Sequence, residues 1–175
     1  MIWKSILAPV TKRHVQQKTI KTHPLHLFRI IQDVDDYVNF LPLCSYSKIL
    51  RKAPDGRTFD GKLGIGFGLF SEEYTSRVTV IPETLTIKMK SIESQRINSL
   101  KSHWSLEEKQ GKNNEVHCGV TFQLEMEVSD PVIVAVLDQV LQEVAGRQVE
   151  AFEKRCEELP LPDDLIEVAK RFKQL

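Results

Sequence analysis

The sequence predicts an α+β fold in which one curved antiparallel sheet wraps around a long C-terminal helix, in the order β-α-α-β6-α. Three stretches carry that expectation. Along 116–128, Val116, Cys118, Val120, Phe122, Leu124, Met126 and Val128 alternate with His117, Gly119, Thr121, Gln123, Glu125 and Glu127. Side chains alternate faces along a strand, so this is one dry face and one wet face, as in an antiparallel sheet covered on one side. After Asp130-Pro131, a helix cap and an N1 proline, apolar residues fall at 133, 136, 137, 140, 141, 144, 145, 149, 152 and 156, which is helical spacing. The stretch "GKLGIGFGLF" at 61–70 sets Leu63, Ile65, Phe67 and Leu69 on one face and glycines 64, 66 and 68 on the other. Glycine inside a strand marks a bend or a close approach, which suits a sheet that curls.

The first strand is expected over 13–22, and His23-Pro24 ends it. Pro24 opens a short helix with the stripe Leu25, Phe28, Ile30 and Ile31, reaching to about Val34. Asp35 or Asp36 is expected to cap a second short helix that carries Tyr37, Val38, Phe40 and Leu41 and stops at Pro42. A strand over 45–52 turns at "PDG", 54–56, and returns through 57–70. The next strand, 73–81, places Tyr74, Ser76, Val78 and Val80 on one parity. After Pro82-Glu83, Leu85, Ile87 and Met89 alternate with Thr86, Lys88 and Lys90, and 97–108 turns Leu100, Ser102, Trp104 and Leu106 to one face. The C-terminal helix is expected to continue to about Leu159, where Leu-Pro-Leu-Pro ends it. An amphipathic extension over 160–175 closes the chain and is expected to dock on the domain, while its Lys170, Arg171 and Lys173 also suit an anionic membrane surface.

At 175 residues the chain is long enough for one domain with a substantial core. Its 24 basic and 24 acidic residues balance, which argues against a generic nucleic-acid binder. Residues 1–32 nevertheless hold six Lys or Arg and no Asp or Glu. That acid-poor start is the character of an organellar transit peptide, and 1–12 is expected to be an organellar leader, with a disordered tail as the alternative. No apolar run is long enough to span a bilayer. Cys44, Cys118 and Cys156 form no CxxC pair and suggest no disulfide framework. The five histidines show no metal-ligand spacing, no serine or cysteine stands beside a diagnostic base, and no phosphate loop is present. No catalytic residue, catalytic cofactor or metal site is therefore expected.

The pattern resembles the helix-grip fold of the START and polyketide cyclase-like superfamily. Within it, the sequence is similar to the mitochondrial coenzyme Q-binding proteins, relatives of bacterial ribosome-association toxins. The resemblance covers about 13–159, the expected quinone-binding domain. It rests first on "YVNFLPLCSYSKIL" at 37–50, then on "GFGLFSEEYTSRVTV" at 66–80, Trp104 and "VTFQLEMEVSDP" at 120–131. Where the family often has Trp after the proline of the first motif, Leu43 stands here.

The resemblance implies ubiquinone as bound ligand and a role as a quinone chaperone for respiration and coenzyme Q biosynthesis. It places the chain on the matrix side of the mitochondrial inner membrane, in peripheral contact with lipid and with respiratory or biosynthetic complexes. Inward apolar positions are the candidate pocket: Leu63 first, then Ile65, Phe67 and Phe122, with Trp104 stacking on the ring. Tyr37, Phe40, Leu41 and Pro42 are the candidate gate. A body on the order of 40 Å across cannot enclose an extended long isoprenoid tail. The distal tail then folds back, enters lipid or crosses a homodimer interface. Two other readings compete: a cyclase or hydrolase, which needs a convergent polar pair in the cavity, and a ribosome-associated factor, which needs a basic patch on the wet face. Glu107, Glu108, Glu125 and Glu127 make that face read as mixed.

Overall fold

A computed structural model describes residues 8–172, with side chains to Glu167. Strand β1 (Val10–Ile20) is followed by helix α1 (Pro24–Gln32) and a 3-10 helix, Val34–Asn39. Six strands follow: β2 (Cys44–Lys52), β3 (Thr58–Phe67), β4 (Phe70–Ile81), β5 (Thr86–Ser94), β6 (Ile97–Gln110) and β7 (Val116–Val128). Helices α2 (Pro131–Val144), α3 (Gln148–Glu158) and α4 (Asp163–Phe172) close the chain. One seven-stranded sheet runs in the order β1-β7-β6-β5-β4-β3-β2. Every pairing is antiparallel. The α+β helix-grip expectation therefore holds, with a difference in the grip itself.

The expected single C-terminal helix is two helices. Gly146 N–H bonds back to Leu141 O at 3.1 Å, one residue further than an α-helical bond, and the chain turns over Ala145-Gly146-Arg147 before α3 begins. A Cβ on Gly146 would stand 2.5 Å from Gln142 O, so only glycine fits there without a shift. The apolar spacing runs through the break because both helices face the same sheet.

The dry face of β7 is as the alternation requires, with Cys118, Val120, Phe122, Leu124, Met126 and Val128 all buried. The opening glycine stretch divides differently. Strand β3 ends at Phe67, which pairs with Phe70, and Gly68-Leu69 form the turn between them. Gly68 takes a left-handed φ of 58°, and Leu69 is fully exposed rather than on the dry face. Gly64 serves a close approach, since a Cβ there would meet Ser45 Oγ at 2.6 Å where β2 bulges between Cys44 and Tyr46.

Caps also differ from expectation. Asp130 caps α2 as expected, accepting from Val132 N at 2.9 Å. Neither Asp35 nor Asp36 caps the 3-10 helix. Asp35 accepts from Ile49 N at 2.6 Å, and Asp36 receives both a 2.9 Å Nε and a 2.9 Å Nη2 contact from Arg155. The first strand begins at Val10, so 10–12 of the expected leader are paired with β7, and 1–7 lie outside the described residues. The side chains of Lys170 and Arg171, and Lys173 altogether, also lie outside them.

Candidate functional site

Between the sheet and α2 lies a cavity of about 80 Å³. Strands β3 and β4 supply Leu63, Gly64, Ile65, Tyr74 and Ser76, and β5 and β6 supply Met89, Leu100 and Ser102. Phe122, Leu124 and Met126 of β7 continue the wall. Val140, Leu141 and Val144 of α2, with Gln148 just past the helix break, cover it. Tyr37, Leu41, Pro42 and Cys44 complete the lining.

Strand parity explains why these side chains meet. Leu63 stands directly opposite Tyr74, and Ser102 is opposite Leu124 on one side and Met89 on the other. Residues two apart on one strand share a face, so Tyr74 and Ser76 point together into the space, as do Leu100 and Ser102.

Among the lining residues there is no His, Asp, Glu, Lys or Arg. The ionisable side chains are Tyr37, Tyr74 and Cys44, and burial pushes the pKa of each up. All three are therefore protonated at neutral pH. Tyr37 Oη donates to Ile31 O. That commitment leaves Tyr74, Ser76, Ser102 and Gln148, beside the Cys44 thiol, as the polar side chains of the wall. Cys44 Sγ lies 3.4 Å from Tyr46 O. Cys118 and Cys156 are buried thiols pushed up to about 12 by burial. Among the described residues no three His, Cys, Asp or Glu gather where they could hold a metal ion.

Six of the expected site residues, Leu63, Ile65, Tyr37, Leu41, Pro42 and Phe122, line this cavity. Three do not. Trp104 is 1% exposed and lies behind the wall, its ring 4.4 Å from Phe122 and 5.0 Å from Phe152 between centroids. Phe40 packs on Phe152 at 5.1 Å under the Arg155 guanidinium and faces a separate surface hollow. Phe67 sits beside the β3–β4 turn, at the strand end beyond the lining. Sequence reasoning missed Tyr74, Ser76, Ser102 and Met89 as lining, although their inward parity was readable, and it missed the contribution of α2.

Comparison with known proteins agrees with this architecture. A Dictyostelium discoideum protein named coenzyme Q-binding protein COQ10, mitochondrial, is 28% identical over 154 residues, covering 86% of this chain and 73% of that one. The Pseudomonas aeruginosa ribosome association toxin RatA is 26% identical, covering 83% of this chain and 96% of the toxin. Among solved structures, a START superfamily protein from Mycobacterium smegmatis superposes with a TM-score of 0.70 at 18% identity, covering 85% of this chain and 99% of that one. A Streptomyces aromatase/cyclase, ZhuI, gives 0.70 at 12% identity, covering 85% and 94%. These two share the fold. With residues 20–153 matching the family described as polyketide cyclase / dehydrase and lipid transport, and with its curved sheet closing over a cavity beneath C-terminal helices, the chain belongs to that family.

Proposed function

We propose that this protein binds ubiquinone in the cavity under α2 and acts as a quinone chaperone, without catalysis, for respiratory electron transport and coenzyme Q biosynthesis. The observation that carries the reading is the wall itself: mainly apolar, with a few neutral hydroxyl, thiol and amide groups and no charged side chain. A quinone presents an apolar ring with carbonyl and ether oxygens that accept hydrogen bonds. Tyr74, Ser76, Ser102 and Gln148 donate to such oxygens, and Leu63, Ile65 and Phe122 pack on the ring. The named similarity to mitochondrial coenzyme Q-binding proteins supports the same ligand and a mitochondrial setting. General acid–base chemistry needs a group that titrates near neutrality, and burial moves all three ionisable lining groups away from it. That favours carriage over the cyclase reading.

A volume of about 80 Å³ is below the roughly 300–1,000 Å³ of pockets that enclose drug-sized ligands. The loaded form is therefore wider, and α2 is the element that yields. Among the described residues its ion pair to the sheet is Lys12–Asp138 at 3.3 Å, between half-exposed and exposed side chains. Helix α3 stays fixed by Lys18–Glu153, Arg155–Asp36 and the His26 ring, which donates to Leu159 O at 3.1 Å.

No described helix is long and apolar enough to cross a membrane. Leu69, in the β3–β4 turn, and Val132, at the start of α2, are exposed at the same end of the sheet, an apolar pair suited to peripheral lipid contact. Titration with a short-tailed ubiquinone analogue tests the proposal, because a bound quinone lies one ring behind Trp104 and quenches its fluorescence. In a Trp3→Phe background, saturable quenching is expected. A folded protein that shows no saturable quenching contradicts it.

A further inference from the structure

The outer face of the sheet carries one row of charge across all seven strands. Cross-strand pairing sets Arg13 opposite Glu125, Glu125 opposite Lys101, and Lys101 opposite Lys90. It then sets Lys90 opposite Arg77, Arg77 opposite Asp60 and Asp60 opposite Arg51. The outer members are paired: Arg13 Nε to Glu125 at 2.6 Å, Arg77 Nε to Asp60 at 3.0 Å, and Arg51 Nη2 to Asp60 at 3.0 Å. Lys101 reaches Glu125 at 3.7 Å. At the centre, Lys101, Lys90 and Arg77 lie side by side. Lys88 stands two residues from Lys90 on the same face, and among the described residues neither Lys88 nor Lys90 has a carboxylate partner. Like charges directly opposite in a sheet are destabilising. Asp60 and Glu125 offset part of that cost at Arg77 and Lys101, and no carboxylate does so at Lys88 and Lys90 among the described residues.

These side chains line a trough of about 770 Å³, together with Val15, 61% exposed, and Ile92, 47% exposed. In a molecule whose total charge balances, the excess is local. We propose that this trough docks an acidic, extended segment of a partner protein. Its carboxylates pair with Lys88, Lys90 and Lys101, and its apolar side chains rest on Val15 and Ile92. A concave surface does not lie flat on a bilayer. A phosphodiester chain has no aliphatic side chains for Val15 and Ile92. Lys88, Lys90 and Lys101 are on the opposite face of the sheet from the cavity and do not line it, and the two spaces adjoin at Met89, Ser102 and Leu124, which border both.

The test uses the full chain and a fluorescent peptide of alternating Glu and Leu, with vesicles containing cardiolipin and a duplex RNA as the other probes. The peptide is expected to bind, to weaken as salt rises, and to weaken at least tenfold in a Lys88→Gln/Lys90→Gln protein. The same double substitution is expected to hold or raise the melting temperature and to leave quinone quenching unchanged, which separates this inference from the quinone reading. Three results overturn it: no peptide binding, peptide binding indifferent to the two lysines, or binding of vesicles or RNA through these lysines without binding of the peptide.

Discussion

Trp104 and Tyr74 show what a single residue's parity does and does not tell. Both read as inward from their strands, and both are buried, at 1% and 9% exposure. Trp104 packs among Phe122 and Phe152 as core, whereas Tyr74 lines the cavity. Truncation should separate them. Trp104→Ala removes a fully packed ring and is expected to cost about 3–5 kcal/mol in urea unfolding. Tyr74→Phe keeps the ring and removes one hydroxyl, so stability should change little while quinone affinity falls about three- to tenfold, the worth of one hydrogen bond. Equal loss of binding and stability in both proteins would show that Tyr74 is core as well. Strand alternation made the inward set legible, including Leu63, Ile65 and Phe122. It did not separate lining from core, because an apolar ligand pocket uses the same residue types as packing, and the position of α2 decides between them.

At the scale of elements, the strands were legible because each has its own alternation and turn. The helix break was not, because apolar residues keep helical spacing across it and a lone Gly146 within helical spacing does not declare a break. The roles of Asp35 and Asp36 were hidden for another reason: their partners, Ile49 N and Arg155, come from distant parts of the chain. The division has a dynamic consequence. Helix α3 is pinned by charged and backbone contacts to β1, α1 and the 3-10 helix, and α2 is held chiefly by apolar contact. Backbone amides of α2 should exchange with deuterium faster than those of α3, and bound quinone should slow α2 most. Asp130→Ala deletes the cap of α2 and is expected to cost about 1 kcal/mol and to raise exchange in α2 alone. Uniform exchange across both helices would contradict a mobile cover.

For the whole molecule, balanced composition concealed a segregated surface. Glu107 and Glu108 lie towards one end of β6, and the cations gather at its middle and on β5 and β4, so the face that read as mixed has a basic centre. Asp60 stands in that row between Arg77 and Arg51 and is 6% exposed. The Arg77 guanidinium, then Arg51, hold its carboxyl below the usual carboxylate range. A carboxyl that titrates lower in the folded state stabilises the fold above its unfolded value of about 4 and loses that contribution as pH falls through the folded value. Asp60→Asn should therefore lower the melting temperature at pH 7 and flatten its decline below about pH 4. An unchanged acid limb would place that dependence on other carboxylates.

The central claim, a quinone carried beneath α2, is tested most directly by extracting natively purified protein with organic solvent and identifying the extract by mass spectrometry. Near-stoichiometric ubiquinone is expected, reduced in Leu63→Ala and Tyr74→Phe proteins that remain folded. An extract free of quinone, from folded protein made in cells that contain it, would contradict the account.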